Sequence, residues 1–156
     1  MPHTPYMFEA IRLAEEGMNS NEGGPFGCVI VKDGIIISRG NNKVLCTNDP
    51  TAHAEIVAIR EACRHLNSFQ LDGCVLYTSC EPCPMCLGAI YWARPAAMYY
   101  ACTREDAARI GFDDQFIYEE IQREMAHRAI PTFQLMRENG LIVFETWNLK
   151  ADKIRY

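Results

Sequence analysis

Apolar residues near the N-terminus recur at helical spacing, and β-like segments follow them. We predict a first helix that begins near Thr4-Pro5, a pair typical of helix starts. Its apolar positions are Met7, Ala10, Ile11, Ala14 and Met18. Residues 26–32 and 35–39 then have strand-like composition and are joined by Asp33-Gly34, a strong signal for a tight hairpin turn. The first part of the chain is therefore predicted to be a helix followed by a β-hairpin.

The rest of the chain alternates helix-like and strand-like segments. A helix is predicted after the turn at 48–51, from an apolar stripe of Ala52, Ile56, Ile59, Cys63 and Leu66. Further strands are predicted at 73–78, 98–102 and 132–136, and further helices at 83–93, 105–109, 115–124 and 141–150. Such alternation predicts a sheet covered by helices on both faces, and the opening hairpin makes that sheet mixed.

The composition is that of a soluble globular domain. The chain has 156 residues, of which 49% are hydrophobic and 22% charged, and no apolar run approaches transmembrane length. The N-terminus lacks the basic and apolar regions of a signal peptide, so we expect a cytoplasmic protein with no membrane contact. The net charge of −5 and the scattered basic residues argue against a nucleic-acid partner, which normally requires a basic surface.

The chain contains eight cysteines. They could form four disulfides only in an oxidising compartment. We therefore predict that five of the eight are buried free thiols. These are Cys28, Cys46, Cys63, Cys74 and Cys102.

Two short segments carry a split metal-binding signature. His53-Ala54-Glu55 supplies an imidazole and a carboxylate, and Cys83 and Cys86, after Pro82, supply two thiols. Three protein ligands leave the fourth zinc position open, which is typical of a catalytic zinc. Such a zinc lowers the pKa of a bound water to near neutrality and makes it a nucleophile. The pattern H-x-E…P-C-x-x-C is the established signature of zinc-dependent nucleobase deaminases, and this sequence matches it.

A closed structural zinc site is one alternative, but it needs a fourth ligand. His3, His65 and His127 lack any paired spacing that would supply one. A non-catalytic module of this kind, binding a partner, would also leave Glu55 without a task.

An iron–sulfur site is the other alternative, because Cys80, Cys83 and Cys86 are spaced as in part of such a run. That run needs a fourth cysteine nearby with a proline after it, and Ile90 and Tyr91 stand there instead. The catalytic zinc is therefore favoured.

Both metal-binding segments are predicted at helix N-termini, where the helix dipole favours the thiolate that zinc requires. Residues two apart on a regular helix diverge by about 200°, so His53 and Glu55 can serve one site only near a helix end. In a deamination, a carboxylate takes the water proton, gives it to a ring nitrogen and helps to protonate the leaving amine. We therefore predict that Glu55 moves protons and need not bind the metal.

Longer segments around these residues resemble the cytidine and nucleobase deaminase superfamily. Residues 49–56 and 81–89 are similar to blocks that bacterial tRNA adenosine deaminases also have. Residues 23–27, 88–95 and 111–118 resemble the bacterial guanine deaminases of this fold, and the chain length and aromatic C-terminus fit as well. A tRNA-editing adenosine deaminase stays the alternative. Such an enzyme requires a basic RNA-binding surface, which the net charge of −5 does not indicate.

The resemblance to the guanine deaminases implies a single three-layer αβα domain over residues 1–156, with a five-stranded mixed sheet. It implies zinc-dependent hydrolysis of guanine to xanthine and ammonia. It also implies a homodimer in which the C-terminal segment, about residues 141–156, is swapped onto the partner. The implied zinc ligands are His53, Cys83 and Cys86, and the implied proton shuttle is Glu55.

The same resemblance suggests substrate contacts. Asn42 matches a base-contacting amide, and Asp114 matches a second acid that contacts the purine or moves protons. An amide offers both a donor and an acceptor and a carboxylate accepts, so both residue types suit guanine. Phe26 and Trp92 are candidates for stacking on the purine. The swapped arrangement would place Tyr156 over a neighbouring active site.

Overall fold

A computed structural model describes residues 3–156, which divide into two compact units. The first unit runs to Gln115, and the second is Phe116–Tyr156. The first unit contains α1 (Thr4–Asn19), β1 (Gly27–Lys32), β2 (Ile35–Asn41), α2 (Val44–Thr47), α3 (Ala54–Leu66), β3 (Cys74–Cys80), α4 (Pro84–Ala93), β4 (Ala97–Cys102) and α5 (Arg104–Arg109). The helix α6 (Gln115–Gln122) starts at the unit boundary, and a 3₁₀ turn (Met125–His127) and α7 (Arg137–Leu149) follow it.

The strands of the first unit form one mixed sheet in the order β2-β1-β3-β4. Strand β1 runs antiparallel to β2 and to β3, and β3 runs parallel to β4. The predicted hairpin between β1 and β2 is confirmed. Asp33 and Gly34 both have positive φ angles, 49° and 77°, as the twist of a two-residue hairpin turn requires.

Alternate residues of the central strands face opposite helical layers. On one face, Val29, Val31 and Tyr77 pack with residues of α1 such as Met7 and Leu13. The opposite row packs against α3 and α4, and its members include Cys28, Ile30, Cys74 and Leu76. The period of two in the strands therefore produces three layers, and the predicted sheet with helices on both faces is confirmed.

The expected five-stranded sheet is corrected, because the described residues form four strands. Residues 132–136, predicted as the last strand, have no regular secondary structure. Phe133 and Leu135 in this segment are 86% and 84% exposed. Alternation of apolar residues makes a segment suitable for a sheet, but a strand forms only where a neighbouring backbone accepts and donates its hydrogen bonds.

All eight cysteines are free thiols. Cys28 and Cys74 are buried and Cys63 is half-buried, whereas the burial predicted for Cys46 and Cys102 is wrong. Cys102 ends β4, an edge strand whose residues are mostly exposed, and Cys46 lies in the four-residue helix α2. In the part of the chain that the structure describes, no helix is both long and apolar enough to span a bilayer.

Candidate active site

Two helix starts supply the metal-binding side chains. His53 is the N-cap of α3 and Cys83 is the N-cap of α4, and both have extended backbones, with φ, ψ of −68°, 156° and −66°, 168°. Because an N-cap residue lies outside the helical rotation, His53 and Glu55 can reach one site although only one residue separates them. Pro84 follows Cys83 at the first helical position, where its missing N–H costs no helical hydrogen bond.

Close packing of α3 on β2 sets the position of His53 and Glu55. A Cβ added to Gly40 on β2 would lie 2.3 Å from the carbonyl oxygen of Ala54, the first residue of α3. Only a residue without a side chain permits this approach. The first turn of α3 therefore lies directly on the sheet.

The three predicted metal ligands lie together. The Sγ atoms of Cys83 and Cys86 are each 3.5 Å from Nδ1 of His53, and all three ligand atoms are within 4.8 Å of one another. Tetrahedral zinc, with Zn–S near 2.3 Å and Zn–N near 2.1 Å, requires N···S separations of about 3.6 Å. The residues therefore fit a zinc ion. No other histidine, cysteine or acid of residues 3–156 joins this cluster, so a fourth coordination position is left for water or substrate.

Cys80 does not belong to the cluster. Its thiol instead donates to the carbonyl oxygen of Thr103 at 3.4 Å, and burial raises its pKa to about 12. The ligand atoms that lie within 4.8 Å of one another belong to His53, Cys83 and Cys86 and do not include Sγ of Cys80. The iron–sulfur alternative therefore has no support in the geometry.

The cluster already stabilises one thiolate. The hydrogen bond from the Cys86 thiol, together with that from His53, lowers the pKa of Cys83 to about 4. The interaction with Cys83, followed by burial, raises the pKa of Cys86, and the hydrogen bond with Cys83 raises the pKa of His53. One sulfur is thus prepared for a cation, and the charge of the metal would favour ionisation of the other.

Glu55 lies beside the cluster with only 6% of its surface exposed. Its Oε1 accepts from the hydroxyl of Thr78 at 3.1 Å, and its Oε2 accepts from the Cys86 thiol at 3.4 Å. Burial raises the pKa of Glu55. A carboxyl group whose pKa is shifted towards neutrality can both accept and release a proton, as general acid–base catalysis requires.

His53 and Cys83 of the cluster, together with Glu55, line a cavity of about 560 Å³. This is the size of a small-molecule site. Three of the predicted substrate-contact residues, Phe26, Asn42 and Asp114, also line it. Trp92 does not line this cavity, and its side chain is 63% exposed on α4, so the structure does not bring it to the site. Tyr156 belongs to the second unit and is 70% exposed.

Asn42 has a defined orientation in the cavity wall. It is 5% exposed, and its Oδ1 accepts from the backbone N–H of Val44 at 3.1 Å. With the carbonyl side of the amide occupied, Nδ2 is the group that can donate to a ligand. Asp114 supplies the complementary acceptor, and burial raises the pKa of its carboxyl.

Other cavity residues were missed by the sequence reasoning. Phe112 meets Phe26 edge to face, with ring centroids 4.9 Å apart and an interplanar angle of 89°. A signal for Phe112 was present, since it lies two residues before Asp114. Glu81 and Arg104 also line the cavity, and the backbone N–H of Arg104 donates to the Glu81 carboxylate at 3.1 Å.

Residues 2–102 match the family described as the cytidine and deoxycytidylate deaminase zinc-binding region. The chain belongs to this deaminase family. The predicted family, its deaminase fold and its zinc cofactor are thereby confirmed, apart from the strand number.

Relatives of this deaminase include proteins with two different substrates in their names. Guanine deaminase from Bacillus subtilis strain 168 is 56% identical over 156 residues and covers 100% of both chains. Its crystal structure superimposes with a TM-score of 0.97, at 56% identity, covering 100% of this chain and 99% of that one. A tRNA-specific adenosine deaminase from Streptococcus pyogenes serotype M18 is 35% identical over 146 residues, 94% of this chain and 86% of that protein.

A third comparison is with a protein in complex with a purine. The structure of the protein NE0047 in complex with 2,6-diaminopurine is 32% identical, with a TM-score of 0.69, and covers 73% of this chain and 63% of that one. That protein therefore binds a free purine base.

Proposed function

We propose that this deaminase hydrolyses guanine to xanthine and ammonia. The observation that carries the proposal is the buried Glu55, whose carboxylate contacts Cys86 of the His53–Cys83–Cys86 cluster at the wall of a ligand-sized cavity. Full-length identity of 56% to a guanine deaminase supports guanine as the base. A zinc ion bound by the cluster would supply an activated water as the nucleophile.

In this proposal Glu55 handles the protons of the reaction. Water adds to the ring carbon that bears the amino group, and Glu55 accepts a proton from that water. Glu55 then protonates the neighbouring ring nitrogen and afterwards assists protonation of the amine, which leaves as ammonia. Burial raises the pKa of Glu55, which favours these proton returns.

The other cavity residues would recognise the base. The Nδ2 of Asn42 would donate to the guanine carbonyl, since its Oδ1 is already engaged by Val44. Asp114 would accept from an N–H group of the purine. The ring pair of Phe26 and Phe112 would pack against the base as an apolar wall.

The proposal includes a homodimer in which the second unit covers the active site of the partner. Helix α7 has no buried residue. Apolar side chains of this unit are exposed, and they include Phe133, Leu135, Val143, Phe144, Leu149 and Ile154. A segment with this much exposed apolar surface is typical of one that docks on another chain. Tyr156 would then close the partner's cavity and exclude water.

The cytoplasmic location also stays a prediction.

A tRNA-editing adenosine deaminase is the second candidate, because a relative with that name is 35% identical over 94% of this chain. The net charge of −5 opposes it, since binding to a phosphate backbone is mainly electrostatic.

The test is ammonia release from a panel of guanine, cytosine, adenine, cytidine and tRNA. We expect guanine to have the highest kcat/KM, with xanthine formed in equal amount to ammonia. Conversion of adenosine to inosine in tRNA faster than guanine turnover would replace the proposal with the second candidate.

A further inference from the structure

Thr78 is the one hydroxyl in a row of strand residues that otherwise has apolar or thiol side chains. Cys74, Leu76 and Cys80 are its neighbours on the same face of β3, and that face packs against α3 and α4. Thr78 is 1% exposed. A buried hydroxyl in apolar surroundings is costly unless it is hydrogen-bonded. Its position therefore calls for a specific partner, and the partner is Glu55, whose Oε1 accepts from Thr78 Oγ1 at 3.1 Å.

The contact joins two elements that are remote in sequence. Thr78 lies on a central strand, paired with Cys28 of β1 on one side and with Tyr100 of β4 on the other. Glu55 lies in the first turn of α3. A donor held by a paired strand cannot follow a rotating carboxylate, so Thr78 gives Oε1 a fixed point in the sheet.

The two oxygens of Glu55 contact different parts of the site. Oε2 lies 3.4 Å from Sγ of Cys86, one of the three cluster residues. Oε1 contacts the hydroxyl of Thr78, which is outside the cluster. Thr78 therefore holds one carboxylate oxygen while the other lies beside the metal-binding residues.

We propose that Thr78 is a positioning residue for the deamination: its hydroxyl holds Oε1 of Glu55 so that Oε2 faces the metal and the base. This inference rests on the proposed function for the role of Glu55. A carboxylate without this anchor would rotate about its last side-chain bond and spend less time in the orientation that exchanges protons with the substrate. Misorientation of a catalytic group on this scale typically costs about 10- to 100-fold in rate.

The test compares Thr78→Val with Thr78→Ser. Valine has the shape of threonine and suits a strand but lacks the hydroxyl, whereas serine keeps it. We expect Thr78→Val to lower kcat about 10- to 100-fold with KM changed less than about threefold, because base binding is untouched. Thr78→Ser should recover most of the rate. Thr78→Ala, which also lacks the hydroxyl, serves if the second methyl group of valine does not fit.

Ser38→Ala is the matched control. Ser38 is 3% exposed on β2, and its hydroxyl donates to the carbonyl oxygen of Ala58 in α3 at 2.9 Å. The substitution therefore removes a buried hydroxyl that contacts the same helix, α3, but does not contact Glu55. Ser38→Ala should lower the melting temperature with kcat kept near that of the wild type.

Two readouts do not depend on turnover. Zinc content should stay near one per chain in every variant, and crystal structures should show the Glu55 carboxylate rotated in Thr78→Val and unmoved in Thr78→Ser. A Thr78→Val enzyme within threefold of the wild-type kcat, an unmoved Glu55, or a serine variant as slow as the valine variant would each overturn the inference. The crystallographic comparison needs no substrate. If the enzyme preferred another base, the proposed function would be refuted, but the orientation of Glu55 in the Thr78 variants would still test this inference.

Discussion

Gly23 lies against Asn42 so closely that no side chain fits between them. A Cβ on Gly23 would be 2.0 Å from Oδ1 of Asn42 and 2.6 Å from the backbone carbonyl oxygen of Asn42. Neither atom is free to move, because Oδ1 accepts from Val44 and the residue is almost fully buried. The contact therefore fixes the amide that the proposed function assigns to the base.

Gly23→Ala should accordingly weaken guanine binding. The added methyl must displace the Asn42 side chain, so we expect KM to rise at least about tenfold, the effect of one lost hydrogen bond in a buried site. Gly88→Ala is the control, since a Cβ at this position in α4 meets nothing within 4 Å. Steady-state kinetics would check this, and an unchanged KM in Gly23→Ala would remove Asn42 from base recognition.

Metal analysis should find about one zinc per chain. Cys83→Ala should lose most of it, because two ligands hold zinc far more weakly than three. Cys102→Ala, which removes an exposed thiol outside the cluster, should keep the wild-type amount. Elemental analysis that found iron with inorganic sulfide would instead favour a site containing Cys80.

Glu55→Gln should keep its zinc and lose nearly all turnover. Glutamine has almost the same shape but cannot accept the water proton, and general acid–base catalysis contributes typically about 10²- to 10⁴-fold. Ammonia release and zinc content, measured on the same preparation, separate loss of the shuttle from loss of the metal. Activity within tenfold of the wild type would remove Glu55 from this role.

Deletion of the last few residues, including Tyr156, should lower guanine turnover while zinc content and melting temperature are retained. The swapped dimer makes a sharper forecast. Heterodimers of a Glu55→Gln chain with a tail-deleted chain should recover activity, because one site then combines an intact Glu55 with an intact tail. The control is each mutant chain taken through the same reconstitution alone, which gives homodimers that should stay inactive. If the heterodimers stay inactive, or if the truncated chain is fully active, the tail has no role in trans.

A surface ion pair makes stability depend on pH. Glu9 on α1 accepts from Arg12 at 2.8 Å and from Arg39 on β2 at 2.7 Å, and the hydrogen bond from Arg12, followed by that from Arg39, lowers the pKa of Glu9 from 4.5 to about 2. Because the pKa is lower in the folded state, the stabilisation is complete above 4.5 and disappears as the pH falls towards 2. Solvent screening limits it to about 1 kcal/mol.

Glu9→Gln should therefore lower the free energy of unfolding near neutral pH by up to about 1 kcal/mol, and the difference should shrink below pH 4.5. Urea unfolding at several pH values measures this. Glu15→Gln, an exposed change on the same helix, is the control for the loss of one negative charge. A Glu9→Gln difference that stayed constant with pH would argue against the ion pair.

The sequence by itself determined the chemistry of the ligands and most of the secondary structure. The types and spacing of His53, Cys83 and Cys86 predicted a zinc-binding set, because few residue types bind zinc and few sequences contain this motif in this order. The hairpin at Asp33-Gly34 was predictable because few residues tolerate two successive positive φ angles. Both signals consist of residue types and their spacing, so they can be recognised without knowledge of the fold.

Only the tertiary structure decided which remote side chains meet. The anchoring of Glu55 by Thr78 and the contact of Phe26 with Phe112 depend on how β3, α3 and the loop after α5 pack, and a single hydroxyl or aromatic residue leaves no periodic pattern. The strand predicted at 132–136 did not form for the same reason, since its alternating residues describe a suitable surface but not a hydrogen-bonding partner. The sequence specifies the identity of each side chain, whereas a contact exists only when packing brings two separated segments within bonding distance.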